Sequence, residues 1–498
     1  MTYSVLNEPV FPVIWNDGKR KDVGLRDAFL YAHEIRDIQG DNPLERYALL
    51  RLLIAFSMDM LHPKNSYARR ALLDKQRFDP GTLEAYISEC ESAGPRFDLF
   101  DSNHPFLQTK YDEIVDKKAE KSVAVIIHSL PSGNNHIFID HRKEDSQSVS
   151  YSKAFRALVA SYLFCVSGTA GPSSVNNTPP LYTIVVGDNL FETIIINMLS
   201  EQEVRPLPYG IGEVPWRNYP DVIPKQKIAT VSLLEGLTWM PRRILLIPEE
   251  DNSVHRVICQ AGLDFQGNDL WNDPHVPRFK KKDGTYGTVK PELGRALWRD
   301  VGTLLYDHNS AVIRQPQILR CLLNIFDEDE IPIWIKIRAV GLITNQAAYT
   351  HWYESELSLP SQLLHIEESA SIFRSDVAMV EAVQDNIFCN VQKYVDLPRP
   401  ESDSKEHEIA SQCQQYFLQL AYELLFGPAI DGILKGSNEK EHVEKFCDDL
   451  KKLITATMNR VLYISGFDTR SIQRQIEAEK WIWIRYKEIV EERKKAYA

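Results

Sequence analysis

Residues 406–426, EHEIASQCQQYFLQLAYELLF, carry the most regular helical pattern in the chain. Their apolar side chains recur every three or four positions, the spacing that places them on one face of an α-helix. A helix with such a face must bury it against neighbouring elements. Gly427 and Pro428 follow directly. Because both residues disfavour continuation of a helix, they predict that the helix ends there.

Three further segments show the same type of pattern on either side of this one. They span about 371–395, 439–463 and a stretch that begins after the candidate cap Asp468. The apolar face of the last segment contains Ile472, Ile476, Trp483 and Ile489. None of these helices can bury its apolar face alone, so together they predict a four-helix bundle over residues 367–498.

The preceding region, residues 1–366, is mixed. Asn42 and Pro43 predict the start of a helix from Leu44 to about Leu61, which is apolar around most of its circumference and therefore buried. Short candidate strands are found at residues 123–127, 183–186, 228–232 and 244–247. The predicted fold class is α+β, with a large irregular mixed N-terminal domain followed by the C-terminal four-helix bundle.

The composition favours a subunit of an assembly over a solitary DNA-binding protein. The 498 residues carry a net charge of −12, whereas affinity for phosphates comes from lysine and arginine. An acidic chain can still bind DNA through a focused patch if partner subunits supply the main basic channel. The most apolar stretch, residues 157–171, is too short to span a membrane. With no signal peptide recognisable at Met1, we expect a cytoplasmic protein without a membrane partner.

The sequence contains no recognisable catalytic motif and no metal-binding spacing. The seven cysteines are scattered without a C-x-x-C pair, and Cys389, Cys413 and Cys447 are interpreted as core residues. Two Asp/His neighbours, Asp140–His141 and Asp273–His275, are interpreted as solvated surface groups. We therefore predict no enzyme activity, cofactor or metal. A metal-dependent nuclease built around these acids stays an alternative, which metal-dependent cleavage by the purified chain would support.

The densest positive charge lies in residues 278–287, RFKKKDGTYG. Asp283 and Gly284 are typical of a hairpin turn, so a solvated hairpin is the simpler interpretation. A loop that contacts phosphates is the functional one, because Phe279 and Tyr286 alternate with Lys280, Lys281 and Lys282.

Several motifs, in order along the chain, resemble those of the CasA family, the large subunit of the type I-E CRISPR complex Cascade. They are YSVLNEPVFPV at 3–13, HPFLQTK at 104–110, TPPL at 178–181 and DPHVP at 273–277. This resemblance implies a non-catalytic subunit that works with the other Cascade subunits and their guide RNA in antiviral defence. It further implies recognition of the PAM in double-stranded DNA, opening of the duplex and recruitment of a helicase–nuclease.

The resemblance also implies three sites. Asn345, Gln346 and Ala347 match a glutamine wedge inserted beside the PAM, although the residues alone favour a polar loop between helices. A glycine loop with Gly168, Thr169, Ala170 and Gly171 matches one that presses against the minor groove, where side chains would hold the backbone away. The third is a guide-handle loop.

The guide-handle loop spans residues 128–135 and contains Ser129, Leu130, Asn134 and Asn135. It lacks the phenylalanine–asparagine pair of the family. Some relatives direct a basic residue into the minor groove, and Lys280 to Lys282 are the candidates here. A purely structural subunit that caps the complex is the remaining alternative. It predicts that PAM preference is unchanged when Gln346 or the glycine loop is altered.

Overall fold

The computed structural model describes most of the chain in fourteen segments. They are residues 2–110, 120–130, 148–166, 174–176, 178–205, 210–218, 227–266, 271–307, 313–327, 330–345, 348–389, 408–436, 438–462 and 469–495. Helices and strands both contribute, and the α+β fold class is confirmed. Contacts divide the chain into two compact units. The first comprises Met1–Leu297 and Asn309–Leu359, and the second comprises Trp298–His308 and Pro360–Ala498.

The first unit is organised around one long buried helix, Pro43–Leu61 (α2). The side chain of Asn42 accepts a hydrogen bond from the Glu45 amide (3.1 Å), and Pro43 occupies the first turn, so the predicted start is confirmed. The other helices of this unit are Leu25–Leu30 (α1), Ser66–Leu73 (α3), Pro80–Cys90 (α4), Tyr151–Leu163 (α5), Leu190–Asn197 (α6), Glu201–Val204 (α7), Leu233–Leu237 (α8) and Gln317–Leu322 (α9).

The first unit also contains several small sheets. The strands are Phe11–Trp15 (β1), Arg20–Val23 (β2), Ile35–Ile38 (β3), Glu120–Ser122 (β4), Val149–Ser150 (β5), Tyr182–Val185 (β6), Lys227–Ile228 (β7), Arg242–Pro248 (β8), Ser253–Ala261 (β9), Asp264–Phe265 (β10), Arg278–Lys280 (β11), Tyr286–Thr288 (β12), Ile313–Arg314 (β13), Trp334–Asn345 (β14) and Ala348–Pro360 (β15). Among the described residues, the sheet orders are β2-β1-β3, β15-β14-β6, β12-β11-β13, the parallel pair β10-β7, and β4-β9-β5 with β8 also on β9.

Two of the four candidate strands are confirmed, and two are wrong. Val123–Ile126 forms a 3₁₀-helix, because the Ser122 hydroxyl accepts a hydrogen bond from the Ala124 amide (3.3 Å) and starts a tight turn. Strand structure in 228–232 stops at Ile228. Ser232 instead forms a capping box with Glu235 and begins α8.

The second unit contains the four predicted amphipathic helices. They are Glu367–Val383 (α11), Glu408–Leu424 (α12) with its continuation Ile430–Leu434 (α13), Glu439–Thr457 (α14) and Thr469–Lys495 (α15), and the short helix Gln362–His365 (α10) precedes them. Trp298–His308 belongs to this unit, although the sequence grouped it with residues 1–366. Arg299 accounts for this, since its guanidinium pairs with Glu381 on α11 (2.5 Å).

The prediction that Gly427 and Pro428 end their helix is wrong. Residues Leu425–Ala429 form a π-helical turn, and the helix continues to Leu434. A proline within an α-helix lacks a hydrogen-bond donor and clashes with the carbonyl four residues earlier. The π turn spaces its hydrogen bonds more widely, so the helix passes Pro428 without ending.

The burial of the bundle differs from its predicted pattern in two places. Cys389 is exposed, whereas Cys413 and Cys447 are buried as expected. On α15, Ile472 and Ile476 are 45% and 61% exposed, so they do not belong to the buried face. That face contains Ala478, Ile482, Tyr486 and Ile489. The apolar spacing therefore predicted the helix correctly but misplaced its contacts by part of a turn.

Candidate nucleic-acid interface

The proposed wedge lies between two strands that pair with each other. β14 ends at Asn345, β15 begins at Ala348, and the two are neighbours in their sheet. The Thr350 hydroxyl donates a hydrogen bond to the Ile343 carbonyl (2.9 Å), which places these residues opposite each other. Asn345 is exposed, while Gln346 and Ala347 lie outside the described residues. The interpretation as a loop between helices is wrong, because both flanking segments are strands.

Gly341 on β14 is required for a close backbone approach. A Cβ atom at this position would lie 2.7 Å from Cγ of Pro291 and 3.2 Å from the Pro180 carbonyl. A contact of 2.7 Å is essentially excluded for a real side chain, so glycine at this position lets Pro291 lie against the strand. The segment that leads away from the basic hairpin is thereby held against the strand that carries Asn345.

A junction of packed side chains connects segments that flank the three predicted loops. We call it the His128 junction, and it comprises His128, Phe164 and Tyr349. The His128 ring lies 5.1 Å from the Tyr349 ring, and its Nε2 lies 3.4 Å from the Phe164 carbonyl. His128 directly precedes Ser129 and Leu130. Phe164 is the C-cap residue of α5, four residues before Gly168 of the glycine loop, and Tyr349 follows Ala347 of the wedge by two residues.

Burial keeps the side chains of the His128 junction uncharged at neutral pH. It lowers the pKa of His128 to about 4 and raises the pKa of Tyr349 to about 12. Burial likewise raises the pKa of the neighbouring Cys165 thiol to about 12. Arg242 approaches from β8, and its Nη2 donates to the Val166 carbonyl (3.0 Å), which fixes the last described residue before the glycine loop. A neutral, packed junction of this kind resists rearrangement.

The structure therefore brings together the segments that flank the three predicted sites. Ser129 and Leu130 are half-buried beside His128. The remaining members of the predicted loops, Asn134, Asn135, Gly168, Thr169, Ala170 and Gly171, lie outside the described residues. Their contacts with nucleic acid stay predictions, whereas the common anchoring of their flanks is observed.

A second buried group, the Asp273 cluster, contains Arg51, Asn176, Trp271, Asp273 and His275. Arg51 on α2 donates two hydrogen bonds to the Asp273 carboxylate, at 2.7 and 3.1 Å. Both side chains are at most 2% exposed. Burial alone would raise the pKa of Asp273, but the guanidinium of Arg51 holds it well below its usual range. The pair is thus a charged contact inside the core.

The interpretation of Asp273 and His275 as solvated surface groups is wrong. The Asp273 carboxylate also accepts a hydrogen bond from Nδ2 of Asn176 (2.9 Å), and Oδ1 of Asn176 accepts one from Nε1 of Trp271 (2.9 Å). The His275 carbonyl accepts the amide of Thr183 on β6 (2.8 Å). With its carboxylate engaged this way, Asp273 is a structural group. Arg51, alone on a buried stretch of α2, was the sequence signal for a buried partner.

The basic segment forms the predicted hairpin. β11 pairs with β12, Gly284 adopts a φ of +87° in the left-handed region that favours glycine, and Asp283 accepts a hydrogen bond from the Thr285 amide (3.0 Å). Lys280, Lys281 and Lys282 are exposed on it. Phe279 is 40% exposed, and the guanidinium of Arg314 lies 3.5 Å from the centre of the Tyr286 ring. The hairpin is confirmed, and its contact with phosphates stays a prediction.

Metal ions and membranes are two further classes of partner on which the structure bears. Within the described ranges, no group of three or more His, Cys, Asp and Glu side chains is arranged to hold a metal ion. Asp140 and His141 lie outside those ranges. One described helical segment, Ser411–Leu434, is long and apolar enough to cross a membrane by length and composition alone. Core helices of globular proteins meet the same criterion, and Cys413, Phe417 and Leu425 are fully buried within this unit.

Comparison with known proteins identifies relatives of the whole chain. The model of the CRISPR-associated protein Cse1 family matches residues 5–455. A CRISPR-associated protein CasA/Cse1 of Thermus thermophilus is 26% identical over 385 residues, which cover 73% of this chain and 72% of the relative.

Solved structures share the fold at lower identity. A CRISPR-associated protein from Thermus thermophilus superposes with a TM-score of 0.79 at 18% identity, covering 98% of this chain and 100% of the other. Cse1 from Acidimicrobium ferrooxidans gives 0.76 at 20% identity, covering 99% of both chains. A chain from a CRISPR RNA-guided surveillance complex gives 0.74 at 18% identity, covering 97% of this chain and 99% of the other.

Proposed function

Because this chain belongs to the CRISPR-associated protein Cse1 family, we propose that it is the non-catalytic large subunit of an RNA-guided CRISPR surveillance complex. Its partners are the other Cascade subunits with their guide RNA, and a related fold occurs in a chain of such a complex. In this role the chain reads the PAM in double-stranded DNA, promotes opening of the duplex for R-loop formation, and recruits the helicase–nuclease in trans.

The observation that carries this proposal is the β14–β15 hairpin with only two residues, Gln346 and Ala347, between its strands. A narrow hairpin on a paired sheet is a suitable wedge, because it can enter a base step without the entropy cost of ordering a long loop. A glutamine at its tip can stack against an exposed base and hydrogen-bond a base edge, which offsets the few kcal/mol, roughly, of unstacking.

The charge distribution fits a reader that works within an assembly. A net charge of −12 disfavours general attraction to DNA, so contact must come from local groups. The exposed Lys280, Lys281 and Lys282 provide one such group, with Arg314 stacked on Tyr286 in the same small sheet. Backbone contact by the glycine loop and phosphate contact by these lysines would together place the β14–β15 hairpin at the PAM.

The first experiment measures target binding by the guide-loaded complex with and without this chain. It uses duplexes with a randomised PAM and a matched set in which the PAM strands are unpaired. We expect PAM-dependent binding only when the chain is present, and binding of the unpaired set regardless of PAM. PAM-independent binding by the complete complex would instead support a structural capping subunit.

Gln346→Ala tests the wedge directly. We expect roughly a tenfold loss of affinity, about 1.4 kcal/mol, for the paired duplex and little change for the unpaired one, because the lost contact acts only during opening. Gln202→Ala is the control, since Gln202 is an exposed glutamine of the first unit outside the predicted sites. An equal loss on both targets would mean that Gln346 contributes to binding but not to opening.

A further inference from the structure

The Asp273 cluster lies in the core where the segment after the glycine loop meets the segment before the basic hairpin. Asn176 lies five residues after Gly171 of the glycine loop, and Trp271 lies seven residues before Arg278 of the basic hairpin. Both side chains meet at one hydrogen bond of 2.9 Å between Trp271 Nε1 and Asn176 Oδ1. Two segments that are 95 residues apart in sequence are thus joined by this contact.

The same cluster reaches the basic hairpin and the wedge sheet. Arg278, the first residue of β11, donates through Nη2 to the Trp271 carbonyl (2.5 Å). The His275 carbonyl accepts both the amide (2.8 Å) and the hydroxyl (2.9 Å) of Thr183. Thr183 lies on β6 opposite Ala339 of β14, the strand that ends at Asn345. Each of the three segments therefore has a hydrogen-bonded connection to the cluster.

The energetic character of the cluster indicates positioning more than stabilisation. Removing both Arg51 and Asp273 from water is costly, and such buried pairs often add no net stability over apolar side chains of similar size. A buried pair does fix the orientation of its side chains, because few arrangements satisfy their donors and acceptors. Arg51 uses its remaining donors on the carbonyls of Gly236 (3.2 Å) and Leu237 (3.3 Å), so its orientation is fixed from two sides.

Steric contacts fix the cluster as well. Gly236 on α8 lies flat against the Trp271 indole, since a Cβ atom there would lie 2.2 Å from the ring. The Tyr182 ring stacks on Tyr47, 4.9 Å between centres, and the Tyr182 hydroxyl accepts a hydrogen bond from Asn176 (3.2 Å). The indole is therefore held by close packing, and the asparagine by its hydrogen bonds to Tyr182, Asp273 and Trp271.

We propose that the Asp273 cluster is a positioning centre that holds the glycine loop, the basic hairpin and the wedge sheet in one arrangement for PAM discrimination. This inference rests on the proposed function and adds how the DNA-contacting segments are held in place. Arg51, Asn176, Trp271 and Asp273 touch no DNA in this role. They determine where the DNA-contacting segments begin and end, so their loss reduces discrimination between PAM sequences more than total affinity.

The test replaces the charged pair by apolar side chains of similar size, Arg51→Met with Asp273→Leu, in the full-length chain assembled into the complex. The matched control is Arg69→Met with Glu203→Leu, which removes another buried pair (3.0 Å) whose arginine is 0% exposed. Readouts are the midpoint of thermal unfolding, affinity for cognate and non-cognate PAM duplexes, and affinity for the target with unpaired PAM strands.

We expect the ratio of cognate to non-cognate affinity to fall by roughly tenfold in the Arg51/Asp273 variant, with the unpaired target bound as by the wild type. The Arg69/Glu203 variant should keep the wild-type ratio. A folded Arg51/Asp273 variant with unchanged discrimination overturns the proposal. If the wild-type complex itself shows no PAM dependence, the proposed function fails first, and the two failures are distinguishable.

Trp271→Phe provides a milder variant in case the double substitution does not fold. It removes the indole N–H that donates to Asn176, together with part of the ring that packs against Gly236, and leaves the Arg51–Asp273 pair in place. We expect faster amide hydrogen exchange over residues 174–176 and 271–277 together with a smaller loss of PAM discrimination. Unchanged exchange and unchanged discrimination would show that the contact positions nothing.

Discussion

Each of the two units of the chain buries a cluster of polar and charged side chains. The two clusters differ in the kinds of element that they connect. In the first unit, Asp273 connects α2 to irregular segments and to a strand. In the second, Asp376 on α11 pairs with His442 on α14 (2.8 Å) and Arg493 on α15 (3.2 Å), and all three residues lie on helices.

This difference shows how buried polarity serves two purposes. A helical bundle with apolar faces can slide or rotate without losing much burial, so a directional contact between three helices selects one register. Loops and short strands have little apolar surface to specify their course, and in the first unit the directional contacts specify it instead. Damage to the two clusters should therefore spread differently through the chain.

Asp273→Ala should have the largest effect on stability. It leaves the guanidinium of Arg51 buried without a charged partner, a change that typically costs about 3–5 kcal/mol. Urea unfolding followed by amide exchange should show the loss in the first unit, including residues 174–176. Asp27→Ala, at an exposed aspartate of the same unit, should stay within about 0.5 kcal/mol of the wild type. A loss confined to α2 would contradict the connecting role of the cluster.

Asp376→Ala should cost less, about 3 kcal/mol, because the guanidinium that loses its carboxylate, that of Arg493, is 8% exposed whereas that of Arg51 is 2% exposed. Amide exchange should accelerate in α11, α14 and α15 and remain unchanged in the first unit. The matched control is Asp448→Ala at an exposed position of α14. Faster amide exchange across both units would contradict the expectation that damage to the Asp376 cluster stays within the second unit.

A third and smaller effect, on the pH dependence of stability, is expected at the His128 junction. The pKa of His128 is lowered from 6.5 to about 4 by burial, so the unfolded chain takes up a proton at a pH where the folded chain does not. Stability that is present above pH 6.5 is consequently lost as the pH falls toward 4, and the loss between pH 7 and 5 is about 2 kcal/mol. Unfolding by urea at both pH values measures it.

His128→Gln should lose less stability than the wild type between these pH values, since glutamine does not titrate. His351→Gln is the control, because His351 is exposed on the neighbouring part of β15. Equal pH dependence in the wild type and His128→Gln would mean that the junction opens in acid before the imidazole titrates.

The sequence predicted the second unit better than the first for a physical reason. Helical periodicity is local, so residues 406–426 and their neighbours were sufficient to predict four helices. The contacts of Arg51 with Asp273 join positions 222 residues apart, and no local pattern reports such a pair. The β14–β15 hairpin was likewise missed by reasoning from the residues, because β14 is held in its sheet by pairing with the distant strand β6.

The candidate site was predictable only in part. Motif resemblance selected Gln346, the glycine loop and the guide-handle loop, and the structure adds the His128 junction that joins their flanks. His128 was selected only as the first residue of the guide-handle loop, with no sign of its burial, and Tyr349 gave no signal, since a lone tyrosine beside a polar loop is commonplace. Asp273 was noticed, but its burial depends on α2 and could not be deduced from the DPHVP motif.

The π turns of the bundle have a consequence for how this chain is aligned with its relatives. In the part of the bundle that the structure describes, three helices contain one, at residues 384–388, 425–429 and 458–462. Each such turn accommodates one residue more than an α-helical turn, as if a single codon had been inserted within a helix. Where a relative has an ordinary α-helical turn in place of 425–429, an alignment that confines gaps to loops will be out of phase by one residue downstream of it. A one-residue gap placed inside 425–429 should restore the correspondence of apolar positions through Leu434.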